Sequence, residues 1–228
     1  MQLSIIIPVL NEAGVLPGLL DHLAPLRACG AEVIVVDGGS GDGSQQIASR
    51  AGAQVICAER GRARQMNAGA SAAHGEVLLF LHADTALPLC AGQAIETVIR
   101  RGGSADEIAW GHFAVRIDGC AFMLRVVARL MNWRSRLTGI ATGDQAMFMT
   151  KRAFEAVGGF PDQPLMEDIE MSKRLLARSR PIYLMDRVAT SGRRWEVNGV
   201  WRTIWLMWRL RWHYWRGVPA SELARSYR

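Results

Sequence analysis

The sequence Glu32-Val-Ile-Val-Val-Asp37-Gly-Gly-Ser-Gly-Asp-Gly43 joins a β-branched apolar run to a glycine-rich turn. A continuous apolar run of this length is typical of a strand buried on both faces, because a half-exposed strand would alternate apolar and polar residues. Glycines directly after the strand let the backbone bend sharply and approach a ligand. The segment therefore predicts a parallel α/β sheet with polar side chains at its strand ends.

Similar apolar runs lie on either side of this segment, and helical patterns separate them. The predicted strands are Leu3–Val9, Gln54–Cys57 and Glu76–Leu81, and the predicted helices are Ala13–Ala28, a helix ending near Ala51, and Arg60–His74. Strands that alternate with helices indicate a mostly parallel central sheet covered on both faces. Ligands of such sheets bind at the carboxyl ends of the strands, where Asp37 and Asp84 lie.

The second half of the chain is less regular. It predicts the strands Trp110–Arg116, Gln145–Met149 and Pro181–Met185 and the helices Cys120–Trp133 and Met166–Ala177. We expect one domain over residues 1–192, with a ligand-binding half at about 1–105 and a second half at about 106–192. Residues 193–228 form a C-terminal appendage rich in Trp and Arg.

The charge of the chain is concentrated in that appendage. Residues 193–228 hold eight arginines and two glutamates, which equals the net charge of +6 of the whole chain. Any anionic surface is therefore expected to meet the appendage. The four cysteines have no zinc-site spacing and suit a reducing compartment. With no export signal and no run of ~20 apolar residues, the sequence predicts a cytoplasmic protein.

Polar residues follow three of the predicted strands. Glu12 is placed to accept hydrogen bonds from a ribose or a base, or Asn11 and Glu12 cap a helix. Asp37 fits the same nucleoside role, or it anchors a turn. Asp84 is suited to a hard cation such as Mg²⁺, with His82 as a second ligand if the cation is Mn²⁺, or Asp84 caps a turn.

Two further segments carry charges near helix starts. The arginines of the segment Arg60–Arg64 lie at a helix start, where the helix dipole disfavours positive charge. Their position is explained if their side chains and the backbone amides jointly hold a diphosphate. The alternative is a solvated basic face. Glu167, Asp168 and Glu170 suit the dipole of the next helix, or one of them serves as general base.

These motifs together resemble the family-2 inverting glycosyltransferases, in particular a small bacterial branch with a His-Ala-Asp-Thr variant. The resemblance is carried in order by Ile-Pro-Val-Leu-Asn-Glu12, Val-Val-Asp37-Gly-Gly-Ser-Gly-Asp-Gly-Ser, Gly-Arg-Ala-Arg-Gln-Met-Asn-Ala-Gly69, Phe-Leu-His-Ala-Asp84-Thr and Glu-Asp168-Ile-Glu. It covers residues 3–190. It implies a GT-A fold, a nucleotide-diphosphate-sugar donor and a divalent metal.

The resemblance also implies roles for individual residues. Pro8, Glu12 and Asp37 would line the nucleoside pocket, and Arg60, Gln65, Asn67 and Gly69 would hold the nucleoside or diphosphate. Asp84 would bind the metal, and Asp168 would be the base. Apart from the resemblance, we take Gly143, Asp144, Gln145 and Glu167 as candidates for the acceptor side. His82 stands where many relatives have the first acid of the metal motif, which leaves open which metal binds. The acceptor is not readable, and a lipid-linked one is an option.

Two other functions fit parts of the sequence less well. A sugar nucleotidyltransferase would share the sheet and the metal acid, but it would open with a basic glycine-rich loop where this chain has Asn11–Gly14. A non-enzymatic module that stacks the Trp/Arg-rich tail on nucleic acid does not explain the neutral body, so we expect no nucleic-acid partner. We expect residues 199–216 to form a helix that contacts a membrane surface peripherally; a core stripe or a homodimer seam is the alternative.

Overall fold

The computed structural model describes residues 1–101 and 108–226, and its centre is one eight-stranded sheet. The strands are β1 (Leu3–Val9), β2 (Glu32–Asp37), β3 (Gln54–Cys57), β4 (Val77–Phe80), β5 (Thr85–Ala86), β6 (Trp110–Asp118), β7 (Met147–Thr150) and β8 (Ile182–Ser191). Their order across the sheet is β3-β2-β1-β4-β7-β6-β8-β5.

Ten helices surround the sheet in the described part of the chain. They are α1 (Leu16–Ala28), α2 (Ser44–Arg50), α3 (Arg62–Ala72), α4 (Ala91–Arg101), α5 (Phe122–Thr138), α6 (Lys151–Ala156), α7 (Glu167–Leu176), α8 (Arg193–Asn198), α9 (Val200–Trp215) and α10 (Ala220–Ser226). A 3-10 turn at Gly143–Gln145 precedes β7. Among these residues, no helix is both long and apolar enough to cross a membrane.

The first half of the sheet is parallel, as predicted. β1 pairs in parallel with β2 and β4, and β2 pairs in parallel with β3. Val9 lies opposite Asp37 in the β1–β2 register, so the polar residues that follow these two strands emerge at one edge. The α/β prediction is confirmed here, and β2 spans the predicted residues.

The second half is mixed. β7 is antiparallel to both β4 and β6, β6 is parallel to β8, and β5 is antiparallel to β8. The sequence analysis did not predict β5, α4, α6, α8 or α10. Of these, β5, α6, α8 and α10 have at most seven residues, whereas α4 has an apolar side, with Ala91, Ile95 and Ile99 buried, that was missed. α9 agrees with the expected helix at 199–216. The expected boundary between the two halves, near residue 105, lies outside the described residues.

Side chains from the two faces of the sheet form two separate cores. Along β1, Ile5 and Ile7 belong to one core and Ile6 to the other, which is the alternation of a strand buried on both sides. A third, smaller cluster joins α9 to α7 through Leu210 and Ile169. This cluster fixes the C-terminal helices against the element that carries Asp168.

Candidate active site

A cleft of about 240 Å³ opens at the carboxyl ends of β1 and β4. The sheet wall, as we name one side, comes from the residues after β1 and β4 and from α3. The helical wall comes from the 3-10 turn, α7, α8 and α9. The charged residues of the cleft are Glu12, Arg62 and Asp84 on the sheet wall and Asp144, Glu167, Asp168, Arg194 and Arg211 on the helical wall.

Glu12 is held in the sheet wall by the glycine-rich turn after β2. Its backbone N–H donates to Ser44 Oγ at 3.0 Å, and the N–H of Ala13 donates to Asp42 Oδ2 at 2.9 Å. Burial raises the pKa of Glu12, and the nearby negative charge of Asp84 raises it further. Two carboxylates from different strand ends therefore approach each other, an arrangement that a bound cation would stabilise.

Asp37 lies behind the cleft and anchors the turn. Its Oδ2 accepts from the N–H groups of Gly39 and Ser40, both at 2.9 Å, and from Gln45 Nε2 at 2.7 Å. Burial raises the pKa of Asp37, but the hydrogen bonds from Ser40 and Gln45 outweigh it, so the pKa lies below its usual value. Oδ1 is buried and has no partner among the described residues.

Gln65 and Gly69 join α3 to the sheet and do not line the cleft. Gln65 is buried, and its Nε2 donates to the carbonyl oxygens of Val9 and Val36, each at 2.8 Å. Gly69 faces the side chains of Ile6 and Val36, which occupy the space that a Cβ would need. The structure thus gives both residues a positioning function: they fix the carboxyl ends of β1 and β2 relative to each other and to α3.

Other residues of the Arg60–Gly69 segment have different surroundings. Asn67 Nδ2 donates to the carbonyl of Phe160 at 2.8 Å, away from the cleft. Arg60 is exposed and does not line the cleft. Arg62, two residues later in the chain, does line the cleft. Its Nη1 lies 3.6 Å from Oε1 of the buried Glu167. Arg62 is therefore the arginine of α3 that reaches the cleft.

His82 and Asp84 both line the cleft, and His82 contacts the opposite wall. Its Nδ1 lies 3.4 Å from Asp144 Oδ1, and its ring fills the space that a side chain at Gly143 would need. Burial raises the pKa of Asp144, but the hydrogen bond and charge of His82 lower it more, so the pKa lies below its usual value. Gly143 is thus the residue that lets the two walls touch.

The donor atoms around Asp84 suit a metal that is shared with a substrate. Within residues 1–101 and 108–226 no three His, Cys, Asp or Glu side chains form a metal-binding cluster. Asp84 is exposed at the cleft, so its carboxylate is open to a cation that completes its shell with phosphate and water oxygens. Mg²⁺ is bound in this way in many phosphate-handling sites.

Asp168 lies on the helical wall and has a carboxyl pKa that is raised well above its usual value. Its Oδ2 accepts from the N–H of Gly143 at 2.8 Å, and its Oδ1 accepts from the N–H of Ile169 at 2.7 Å. Burial and the adjacent charge of Glu167 raise the pKa of Asp168 to about 6. A carboxyl group with this pKa can take and release a proton near neutral pH.

Strained backbone lies beside this chemistry. The non-glycine residues with positive φ in the described chain are Asn11 at 56°, Ala146 at 44° and Met166 at 64°. Asn11 directly precedes Glu12, Ala146 directly follows the 3-10 turn, and Met166 directly precedes Glu167. Such conformations cost about 1–3 kcal/mol each and concentrate at functional sites, which supports the cleft as the active site.

The acceptor-side candidates divide into two groups. Gly143, Asp144 and Glu167 line the cleft. Gln145 is buried in a capping box with Thr142, and its Nε2 donates to Ser135 Oγ at 2.9 Å. Gln145 therefore shapes the turn that presents Asp144.

Sequence reasoning missed the contribution of α8 and α9 to the cleft. Thr203, Met207 and Arg211 recur every four residues along one side of α9 and line the cleft, and Arg194 of α8 joins them. The four-residue spacing was a readable signal, but the tryptophans on the opposite side of the same helix dominate the pattern.

Comparison with known proteins agrees with this geometry. Residues 4–156 match the Glycosyl transferase family 2 domain. A PGL/p-HBAD biosynthesis glycosyltransferase of Mycobacterium bovis is 42% identical over 91 residues, which is 37% of this chain and 36% of that protein. The match therefore spans about a third of that relative's length.

Two solved structures have the same fold. TarS of S. aureus (residues 1–349), in complex with UDP-GlcNAc, has a TM-score of 0.64 and 16% identity, covering 84% of this chain and 58% of that one. A mannosyltransferase of Pyrobaculum calidifontis, in complex with GDP-Man and Mn²⁺, has a TM-score of 0.62 and 21% identity, covering 82% and 56%. These likenesses confirm the GT-A fold.

Proposed function

Because the chain belongs to glycosyl transferase family 2, we propose that it transfers a sugar from a nucleotide-diphosphate sugar to a hydroxyl or phosphate acceptor, with inversion at the anomeric carbon. The observation that carries the proposal is the meeting of two chemistries in one cleft. Asp168, with a pKa near 6, lies on the helical wall. Arg62 and Asp84, suited to a metal diphosphate, lie on the sheet wall.

The donor occupies the sheet wall in this proposal. The two solved neighbours hold a nucleotide sugar, UDP-GlcNAc in one and GDP-Man in the other, which supports this class of donor. Glu12 accepts hydrogen bonds from the ribose or base, and Asp37, whose buried Oδ1 has no partner within the described part of the chain, is the second nucleoside residue of the proposal. Arg62 contacts the diphosphate. The role that the sequence gives Arg60 at the diphosphate stays a prediction.

The proposal includes a divalent metal beside Asp84, and the exposure of that carboxylate at the cleft, together with its nearness to Glu12, supports it. When bound, such an ion supplies positive charge that stabilises the leaving nucleoside diphosphate. Asp84 would hold it together with diphosphate oxygens. Mn²⁺ also accepts imidazole, and His82 remains the proposed second ligand, with its ring orientation set by Asp144 and Gly143.

The chemical step takes place on the helical wall. Ionised Asp168 takes the proton of the acceptor hydroxyl while the hydroxyl oxygen attacks the anomeric carbon. The new bond joins the acceptor oxygen to that carbon, and the bond to the diphosphate oxygen breaks on the opposite face. The electron pair of the broken bond goes to the nucleoside diphosphate, where Arg62 stabilises the charge. A single displacement of this kind inverts the anomeric configuration.

A donor panel tests the proposal. Purified protein is incubated with individual nucleotide-diphosphate sugars, in the presence of Mn²⁺ or Mg²⁺, and the released nucleoside diphosphate is measured. We expect release from at least one donor, with dependence on the metal. Release of pyrophosphate instead would identify a nucleotidyltransferase. No release from any donor, while RNA is retained on a filter at physiological salt, would favour a binding module.

A further inference from the structure

Large apolar side chains are exposed on two helices in an amount that folding does not explain. Their exposed fractions run from 56% for Leu130 and Trp212 to 74% for Trp208. The set comprises Phe122, Leu130, Trp133 and Leu137 of α5 and Trp201, Trp205, Trp208, Trp212 and Trp215 of α9. Patches of exposed apolar residues on this scale mark binding surfaces. The tryptophan stripe is therefore not part of the core of this chain.

Each helix keeps these residues on one side. At 100° per residue, the exposed apolar residues of α5 lie in an arc of about 80°, and the tryptophans of α9 lie in another arc of about 80°. The opposite sides are buried: Leu124, Val127 and Ala128 of α5 belong to the main core, and Thr203 and Leu210 of α9 are buried. Both helices therefore direct one apolar stripe outward while packing inward.

Arginines accompany both stripes, and acids do not. Arg125, Arg129 and Arg136 are exposed along one border of the α5 stripe. Arg202, Arg209 and Arg216 follow one border of the α9 stripe, with Arg209 4.8 Å from the ring centre of Trp205 and Arg216 5.9 Å from that of Trp212. Neither helix contains an Asp or Glu.

Contacts just before and just after α5 join it to α8 and to α9. The N–H of Cys120, just before α5, donates to Glu196 Oε1 of α8 at 2.8 Å. Ile140, just after α5, packs with the cluster around Leu210 of α9. We name the two exposed stripes and their arginines the docking face.

We propose that the docking face binds the headgroup layer of an anionic lipid bilayer. Indoles and guanidinium groups are both satisfied at that depth, where rings meet acyl chains and charges meet phosphates. Arginine near an anionic leaflet adds attraction that falls with salt. A second copy of this chain fits less well, because neither helix offers an acid that could pair with the arginines of the partner in a twofold interface.

Docking would put the bilayer next to the cleft. The tryptophans and the cleft-lining residues Thr203, Met207 and Arg211 lie on different sides of the same helix, whose diameter is about 10–12 Å. The bilayer would thus lie about one helix diameter from the side of α9 that lines the cleft with Asp168. The relevance of this distance to an acceptor, unlike the docking itself, rests on the proposed glycosyl transfer.

Vesicle flotation tests the docking face on each helix separately. The full chain is mixed at low salt with vesicles of phosphatidylcholine alone or of phosphatidylcholine with phosphatidylglycerol. One variant carries W205S, W208S and W212S, and another carries L130S, W133S and L137S. The control carries L89S and M185S, two exposed apolar residues outside the docking face. Circular dichroism confirms that each variant is folded.

We expect the wild type and the control to float with the anionic vesicles, and each triple variant to bind more than about tenfold more weakly. High salt should weaken the binding of the wild type. Wild type that stays at the bottom of the gradient at low salt overturns the proposal, as does an α5 variant that floats like wild type. A wild-type dimer, shown by light scattering to dissociate in the α9 variant without vesicle binding, assigns the face to a second copy instead. Because no nucleotide sugar is present, the result is independent of the proposed function.

Discussion

The sheet wall and the helical wall of the cleft are held in place by different interactions. The sheet wall rests on β1 and β4, whose apolar residues are almost entirely buried, and on the two hydrogen bonds from Gln65. The helical wall rests on separate elements, which are joined by side-chain contacts such as the hydrogen bond from the N–H of Gly143 to Asp168 and that from Tyr214 to Glu170 at 3.2 Å.

This difference suggests that the two walls have different functions. A wall built into the sheet keeps its geometry whatever binds, which suits the nucleotide and metal that all donors share. A wall built from separate helices and a turn is easier to vary and to adjust, which suits the acceptor and the proton transfer. Mutations in the two walls should therefore affect different properties of the protein.

The largest effect is expected at Asp84 on the sheet wall. Asp84→Ala should abolish metal-stimulated turnover, because the cation then has no carboxylate from the protein at this position. Turnover is measured over a range of Mn²⁺ and Mg²⁺ concentrations, with Asp21→Ala as a control at an exposed acid outside the cleft. Full activity of Asp84→Ala, or of wild type in excess EDTA, would remove the metal from the account.

Asp168→Asn on the helical wall should lower turnover by about 10²–10⁴-fold, the usual contribution of a general base. The amide keeps the size of the side chain but cannot accept the proton, and its NH2 group gives up one of the two hydrogen bonds that Asp168 accepts from backbone N–H groups. Binding of the donor on the sheet wall should still change little. Steady-state turnover and donor titration give the two quantities. Asp144→Asn is the matched comparison, and if it loses more turnover than Asp168→Asn, Asp144 is the base.

Gln65 tests whether the sheet wall is built for stability. Gln65→Leu removes two buried hydrogen bonds, to the carbonyls of Val9 and Val36, although Val9 keeps the one from the N–H of Gly38. The loss should lower the free energy of unfolding by about 1–3 kcal/mol. Denaturant unfolding measures this, with Gln46→Leu as a control at an exposed glutamine. Equal stability of the two variants would mean that other contacts hold the strand ends level.

The smallest expected effect is at Arg62. Arg62→Ala should weaken binding of a nucleoside diphosphate roughly tenfold, as for the loss of a charged hydrogen bond, and leave binding of the free nucleoside unchanged. Calorimetric titration compares this variant with Arg60→Ala. A larger effect at Arg60 would show that the residues before α3 turn into the cleft when the ligand binds.

The sequence predicts the sheet wall better than the helical wall for a physical reason. Strands β1, β2 and β4 are buried on both faces, so their residue types alone identify them, and the acids that follow them emerge at one edge. The contacts of Gln65 and Asn67 are not visible in the sequence, because the side of α3 that each residue takes depends on how the helix packs. Similarly, α9 turns Arg211 into the cleft only because Leu210 packs on α7.

The dependence of kcat/KM on pH tests the central claim, that Asp168 is the base, most directly. Burial and Glu167 raise the pKa of Asp168 to about 6, and a base acts only when ionised. The wild-type value should therefore rise with pH, tenfold per unit well below pH 6, and level off above about pH 7; Asp168→Asn should lose this rise. A wild-type profile that is flat across this range, or a rise that persists in Asp168→Asn, would contradict the assignment.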